Sequence, residues 1–272
     1  MIQLFLSVLV LAGLAAGVLA QQPQQAVPQV PPTARQAAQV DITGNWVALV
    51  TEEWRWRMMT PPPKDYPNVP LNAEGRKAAD AWDLAKDNAA GEQCKAFGAG
   101  GIMRLPLRMR VSWADDNTLK LETDAGQQTR VFNFDRAKQP GSEKTWQGFT
   151  VAEWTRPVPP AGRVGAEGAR AAPPAPPRGA LKIVTRNLRS GYLRKNGVPY
   201  SENAVVTEYF DRVSGFGTDY LAVTTIVEDP TYLNGPFMTT SQFMREPDGS
   251  KFKPSPCKTD PPVRATPPPN GD

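Results

Sequence analysis

Hydrophobic and polar residues alternate from Gly44 to Met58, and this period of two predicts the first strand of the fold. One face of the predicted strand carries the apolar residues Trp46, Ala48, Val50, Trp54, Trp56 and Met58. Glu52 interrupts that face with a carboxylate. The prolines of residues 61–63 end the strand, because proline has no N–H to donate to a sheet.

The same alternation recurs downstream and predicts a succession of short strands. Their ranges are 105–113, 119–123, 129–134, 146–154, 181–195, 198–212, 219–229 and 236–245. Asn196 and Gly197 are typical of a tight hairpin turn, because both residues tolerate a positive φ. One helix is predicted over residues 71–90, with Asn72 as its N-cap and Trp82 as its packing residue.

These elements predict a mainly β fold. An antiparallel meander must protect its edge strands, either by closing into a barrel or by dividing into two packed sheets. We favour an up-and-down β-barrel of about 8–10 strands with one inserted helix and long Pro-rich loops. A barrel of that size has room for side chains or for one modest ligand.

Composition divides the chain into segments. Residues 1–20 form an uncharged apolar run that ends in small residues, which indicates an export signal peptide; an uncleaved membrane anchor is the alternative. Residues 21–39 read as a disordered linker, 40–258 as the barrel domain, and 259–272 as a disordered tail. Residues 156–179, rich in Pro, Ala and Gly, read as a flexible insertion. We therefore expect a periplasmic or extracellular protein.

The chain contains 2 cysteines, Cys94 and Cys257. An oxidising compartment makes a disulfide between them the expected state, and two unpaired buried thiols are the alternative.

Three short motifs resemble the signatures of lipocalins and related calycin barrels. Gly44-Asn45-Trp46 heads the first strand as a Gly-x-Trp motif, Thr218-Asp219-Tyr220 begins a late strand, and Arg245 ends the last strand. The resemblance implies that Gly44, Trp46 and Arg245 are structural, with the arginine lying across the tryptophan. Residues 191–212 are also similar to uncharacterised exported bacterial proteins.

The chain has no histidine, so it contains neither Ser-His-Asp machinery nor a His-ligated metal. With both cysteines expected to be bonded, thiolate nucleophiles are also excluded. We predict no metal and no cofactor. A net charge of +4 is too small to indicate nucleic-acid binding.

The candidate ligand-binding residues are the carboxylate and the large apolar side chains that the predicted strands direct inward: Glu52, Trp54, Trp56, Met58 and Trp113. Our first hypothesis is a non-catalytic barrel that binds a small apolar or amphipathic molecule in its interior. The tryptophans could instead simply fill the core.

Two other functions remain open. One is an isomerase, cyclase or hydrolase in the barrel cavity that uses Glu52 with a tyrosine or arginine partner, and a carboxylate that converges with Tyr200 or Tyr209 in one pocket would favour it. The other is an envelope interaction module that presents residues 156–178 together with a basic stripe on one strand face, formed by Arg104, Arg108 and Arg110. The alternative meaning of this stripe is a solvated strand face.

Overall fold

The computed structural model of the chain describes residues 31–155 and 179–263. The strands within these ranges are β1 (Gly44–Leu49), β2 (Arg108–Asp115), β3 (Thr118–Thr123), β4 (Thr129–Asn133), β5 (Phe149–Trp154), β6 (Leu181–Arg186), β7 (Gly191–Arg194), β8 (Val198–Tyr200), β9 (Val205–Gly215), β10 (Thr218–Glu228) and β11 (Phe237–Glu246). The helices are α1 (Trp54–Arg57), α2 (Ala73–Asp80) and α3 (Leu84–Ala89), with short 3-10 helices at Gln93–Phe97 and Ile102–Arg104.

Nine of the described strands form a closed barrel in the order β1-β11-β10-β9-β6-β5-β4-β3-β2. Closure is made by β1, in which Trp46 lies opposite Arg245 of β11 on one side and opposite Met109 of β2 on the other. The predicted mainly β barrel is therefore confirmed.

Two details of the barrel differ from a simple meander. Strands β4 and β5 pair in parallel, because the chain between them returns along the length of the barrel before β5 begins. Strands β7 and β8 leave the barrel as a separate two-stranded sheet. The turn between them contains Asn196 and Gly197, as predicted, and Gly197 has a φ of 79°.

Large side chains fill the middle of the barrel. The inward positions of the strands carry buried apolar residues, among them Met109, Leu121, Phe132, Ile183, Phe210, Val223 and Phe243. One ion pair lies among them, in which Arg130 donates to Glu208 with both side chains fully buried.

A second buried cluster covers the end of the barrel where β1 finishes and β11 begins, which we call the cap end. The chain between β1 and β2 and the β7–β8 hairpin build this cap. Its apolar residues include Tyr66, Leu71, Leu193, Val198, Tyr200 and Phe237.

The helical region within the cap departs from the single predicted helix. Asn72 caps α2, as predicted, by accepting a hydrogen bond from the Gly75 N–H. The helix then breaks, because the Asp83 carboxylate caps a new helix, α3, by accepting from Ala85 N at 2.9 Å. The break places Trp82 against Gly197, where a Cβ would lie 2.1 Å from the indole ring.

Segments on both sides of the predicted barrel domain contact the barrel or its cap. The segment 32–43 covers the other end of the barrel, which we call the open end. There the Ala34 N–H donates to Asn117 Oδ1 at 2.9 Å and the Trp154 indole donates to the Ala34 carbonyl at 2.8 Å. The ordered contacts thus begin before Val40, within the predicted linker. Residue Val263, in the predicted tail, donates to the Thr60 carbonyl.

The predicted signal peptide, most of the predicted insertion and the end of the tail lie outside the described residues. No helix within the described ranges combines the length and the apolar character that crossing a membrane requires. Cys94 and Cys257 are joined as a disulfide with a Cα–Cα distance of 5.1 Å, which confirms the predicted pairing. This bond ties the C-terminal segment to the cap.

Candidate functional site

The open end is braced by residues of the three sequence motifs. The Arg245 guanidinium lies 5.4 Å from the centroid of the Trp46 ring, which is fully buried. Gly44, with a φ of 118°, allows this approach, because a Cβ there would lie 2.9 Å from Arg245 Nη2. The Trp46 indole donates to the Ile42 carbonyl at 3.0 Å and so holds the segment that precedes β1.

Three aromatic side chains stand next to this brace at the ends of β2, β4 and β5. The Trp113 ring centroid lies 5.7 Å from that of Phe134 and 6.5 Å from that of Trp154. Phe134 and Trp154 are stacked at 5.4 Å. Such tilted and stacked arrangements are favourable for aromatic pairs and form one continuous apolar wall.

The segment 32–43 supplies the opposite wall. Its backbone is fixed at both ends, because Arg35 N donates to the Asp116 carbonyl at 2.9 Å and Arg212 Nη1 donates to the Asp41 carbonyl at 2.7 Å. The Asp41 carboxylate accepts from the backbone N–H of Thr43 at 2.9 Å and from its hydroxyl at 2.7 Å. The wall is therefore held by its own hydrogen bonds.

A cavity of about 340 Å³ lies between the two walls. It is lined by Arg35, Ala38, Val40, Asp41, Ile42, Thr43, Trp113, Leu119 and Trp154. Its volume is within the range of small-molecule sites, toward the lower limit. The lining combines indole rings and aliphatic side chains with one guanidinium, one carboxylate and one hydroxyl, which suits a flat amphipathic molecule.

Comparison of the chain with protein-family models, with curated proteins and with solved structures finds no match. The geometry of the cavity is therefore the basis for assigning a function.

The structure separates the sequence-predicted ligand residues between the two ends of the barrel. Trp113 lines the cavity at the open end. Glu52, Trp54, Trp56 and Met58 lie at the cap end, because β1 ends at Leu49. The predicted strand through Met58 is wrong: residues Trp54–Arg57 form helix α1.

This change of conformation alters what the four residues contact. Trp54 and Met58 are 57 % and 52 % exposed and do not point into the barrel. The Glu52 carboxylate accepts from Arg57 Nη1 at 2.8 Å, and the ring of Trp56 lies beneath the guanidinium of Arg194. The chain turns at Glu53, whose φ of 51° is incompatible with a continuing strand.

The proposed pairing of Glu52 with a tyrosine is not seen. No hydrogen bond in the described part of the chain joins Glu52 to Tyr200 or Tyr209. Tyr200 is fully buried, and burial raises the pKa of its phenol. Tyr209 alternates with the inward residues Glu208 and Phe210 and so faces outward.

The structure retains part of the predicted basic stripe, because Arg108 and Arg110 lie on the outward face of β2, half-buried and exposed, whereas Arg104 lies outside that strand. Arg104 is buried and pairs with Glu53. Arg108 Nε lies 3.1 Å from Glu246, and the Arg110 guanidinium lies 4.7 Å from the centroid of the Phe252 ring.

Sequence reasoning missed Trp154, Arg35 and Asp41 as lining residues of the cavity. A signal was present for Trp154, since it ends a predicted strand as Trp113 does. Arg35 lay in a segment whose composition resembles a linker, and nothing in its local sequence indicates that it docks on the barrel.

Proposed function

We propose that this protein is an exported, lipocalin-like barrel that binds one small, flat amphipathic molecule in the cavity at its open end. The observation that carries the proposal is the placement of Trp113 and Trp154 on one wall of that cavity, opposite a segment with polar side chains. Aromatic rings provide large contact areas for planar ligands, and a few fixed polar groups orient them.

Two further features support parts of this proposal. The Cys94–Cys257 disulfide is compatible with an oxidising compartment and hence with export. The contact between Arg245 and Trp46 reproduces the arrangement that the lipocalin resemblance implies. The polar groups of the cavity are suited to orienting a ligand, because the Asp41 carboxylate is already held by Thr43.

The cavity also changes the location expected for the ligand. The middle of the barrel is occupied by residues such as Phe132, Phe210 and Phe243, each fully buried. A ligand therefore belongs between the barrel end and the segment 32–43 rather than in the deep interior.

Titration with the neutral fluorescent probe N-phenylnaphthylamine tests this site, since a neutral probe does not respond to buried arginines elsewhere. The full chain should bind the probe, and Trp113→Ala should weaken binding by about tenfold, as expected for the loss of one aromatic contact of roughly 1–1.5 kcal/mol. Trp54→Ala is the matched control, because Trp54 is exposed at the opposite end.

Equal affinity for the wild type and Trp113→Ala would reject the cavity as the binding site. A loss in Trp54→Ala with unchanged affinity in Trp113→Ala would place binding at the cap end instead.

A further inference from the structure

Three arginines converge at the cap end, away from the aromatic cavity. Arg57 of α1, Arg104 of a 3-10 helix and Arg194 of β7 are 1 %, 5 % and 3 % exposed. Two of the three guanidinium nitrogens of Arg57 have partners, because Nε donates to the Arg104 carbonyl at 2.9 Å and Nη1 donates to Glu52 at 2.8 Å, whereas Nη2 has none among the described residues. Burying three guanidinium groups side by side is costly unless anions compensate them.

The carboxylates in contact with this cluster do not fully compensate it. Glu52 forms an ion pair with Arg57. Glu53 is shared between the other two arginines, because its Oε2 lies 2.7 Å from Arg104 Nη2 and its Oε1 lies 3.9 Å from Arg194 Nη2. The side chain of Glu53 is 30 % exposed, so this side chain lies at the boundary between the cluster and solvent. Two carboxylates thus face three guanidinium groups.

Arg194 is the least satisfied of the three. Its Nε, Nη1 and Nη2 atoms are buried, and none of them has a hydrogen-bond partner among the described residues. Its guanidinium lies near two aromatic rings, 5.1 Å from the centroid of Trp56 and 5.8 Å from that of Phe237. Burial and the neighbouring Arg104 lower the pKa of Arg194 to about 10, against the opposing effect of Glu53 and Asp65, so the group is still charged at neutral pH.

A buried guanidinium without hydrogen bonds destabilises a fold, whereas an apolar side chain of similar length would fill the same space. Stacking on the two rings stabilises the charge but leaves its N–H donors unused. These donors are arranged as a planar fork, which matches the oxygens of a carboxylate or phosphate group.

We propose that Arg104 and Arg194 form a binding site for the oxyanion group, phosphate or carboxylate, of a small molecule, which enters by exchanging with the carboxylate of Glu53. Glu53 is suited to this exchange for two reasons. Its backbone has a left-handed φ of 51°, which disfavours a residue with a side chain, and its side chain is partly exposed. Glu53 then acts as an internal competitor for the site.

Calorimetric titration of the full chain with inorganic phosphate, and in parallel with acetate, tests this proposal at constant ionic strength set with chloride. We expect saturable binding of at least one of the two anions. The anion that binds identifies whether the site recognises a phosphate or a carboxylate group. Glu53→Gln should bind that anion about tenfold more tightly, because the internal competitor has lost its charge. Arg136→Met, at an exposed arginine paired with Glu153, should bind as the wild type does.

Arg194→Met separates binding from folding. It should abolish anion binding, whereas its melting temperature in chloride buffer should equal or exceed that of the wild type, because an unpaired buried charge has been replaced by an apolar side chain. If Arg194→Met fails to fold, Glu53→Gln still tests the proposal. The anion that binds should raise the melting temperature of Glu53→Gln more than it raises that of the wild type.

Three results would overturn the proposal. The first is that neither the wild type nor Glu53→Gln binds an anion saturably. The second is that Arg194→Met binds with unchanged affinity. The third is that neither anion raises the melting temperature of Glu53→Gln. The site lies at the opposite end from the aromatic cavity, so these results are independent of the probe titration.

Discussion

The guanidinium of Arg245 lies over the indole of Trp46, 5.4 Å from its centroid, and joins the last strand of the barrel to the first. The two residues are also direct partners in the β1–β11 register. Asp219 of β10 lies 3.8 Å from Arg245 and 2.8 Å from Arg212 of β9, so the contacts extend across four neighbouring strands. The brace thus stabilises the seam at which the barrel closes.

Trp46→Ala should lower the free energy of unfolding by about 3–5 kcal/mol, because it removes a fully buried indole and leaves a cavity under Arg245. Urea denaturation followed by circular dichroism measures the change. Trp54→Ala, at a residue that is 57 % exposed, should change stability by no more than about 0.5 kcal/mol. A similar loss in both variants would contradict the assignment of Trp46 to the seam.

The Arg130–Glu208 pair in the middle of the barrel allows a second prediction. Glu208→Gln keeps the shape of the side chain but leaves a fully buried guanidinium without its counter-ion, and should cost about 3–5 kcal/mol. The double variant Arg130→Met/Glu208→Leu should recover most of this loss, since no charge remains buried.

Urea denaturation of the wild type and of both variants gives these differences. A loss below about 1 kcal/mol in Glu208→Gln would mean that the carboxylate is not what balances Arg130.

The sequence predicts those parts of the fold that follow from local rules. The alternation of apolar residues predicts a closed barrel, Asn196-Gly197 predicts a hairpin turn, and two cysteines in a chain expected to be exported predict their own disulfide. The strands and the turn depend on residues that are close together in the sequence. The disulfide follows because the chain contains only 2 cysteines.

The site was less predictable, because it depends on contacts between distant segments. The repeated Trp-Arg pattern of residues 54–57 fits a strand as well as one turn of helix, and the bonds of Arg57 to Leu49, Glu52 and Arg104 determine which one forms. Arg35 likewise docks through a backbone bond that composition does not reveal. Local sequence therefore misplaced Trp54 and Trp56 but placed Trp113 on a strand that reaches the cavity.

Asp219 predicts a specific pH dependence of stability. A hydrogen bond from Ser214, and then the bond and charge of Arg212 with the charge of Arg245, lower the pKa of Asp219 below its ordinary value of 3.8, although burial opposes the shift. The folded state therefore favours the ionised carboxylate, and this stabilisation is present above about pH 4 and lost as the pH falls through the lowered pKa.

The wild type should accordingly be more stable than Asp219→Asn at pH 6, and the difference should shrink below about pH 4. Denaturation of both proteins across this range isolates the contribution of Asp219, because all other carboxylates titrate in both. A difference that stays constant with pH would show that the carboxylate is not specifically stabilised.

The connection between β5 and β6 should be replaceable by a short link, because the strand ends that it joins are already bonded. Thr155 N donates to the Ala180 carbonyl at 2.9 Å, and Ala180 N donates to Thr155 Oγ1 at 2.9 Å. Replacing residues 157–177 with a short Gly-Ser turn should therefore change the melting temperature by less than about 3 °C. A variant carrying Gly-Ser residues at the original length separates the effect of loop length from that of loop composition. A fall beyond about 8 °C in both variants would show that the native segment packs on the barrel and contributes several kcal/mol.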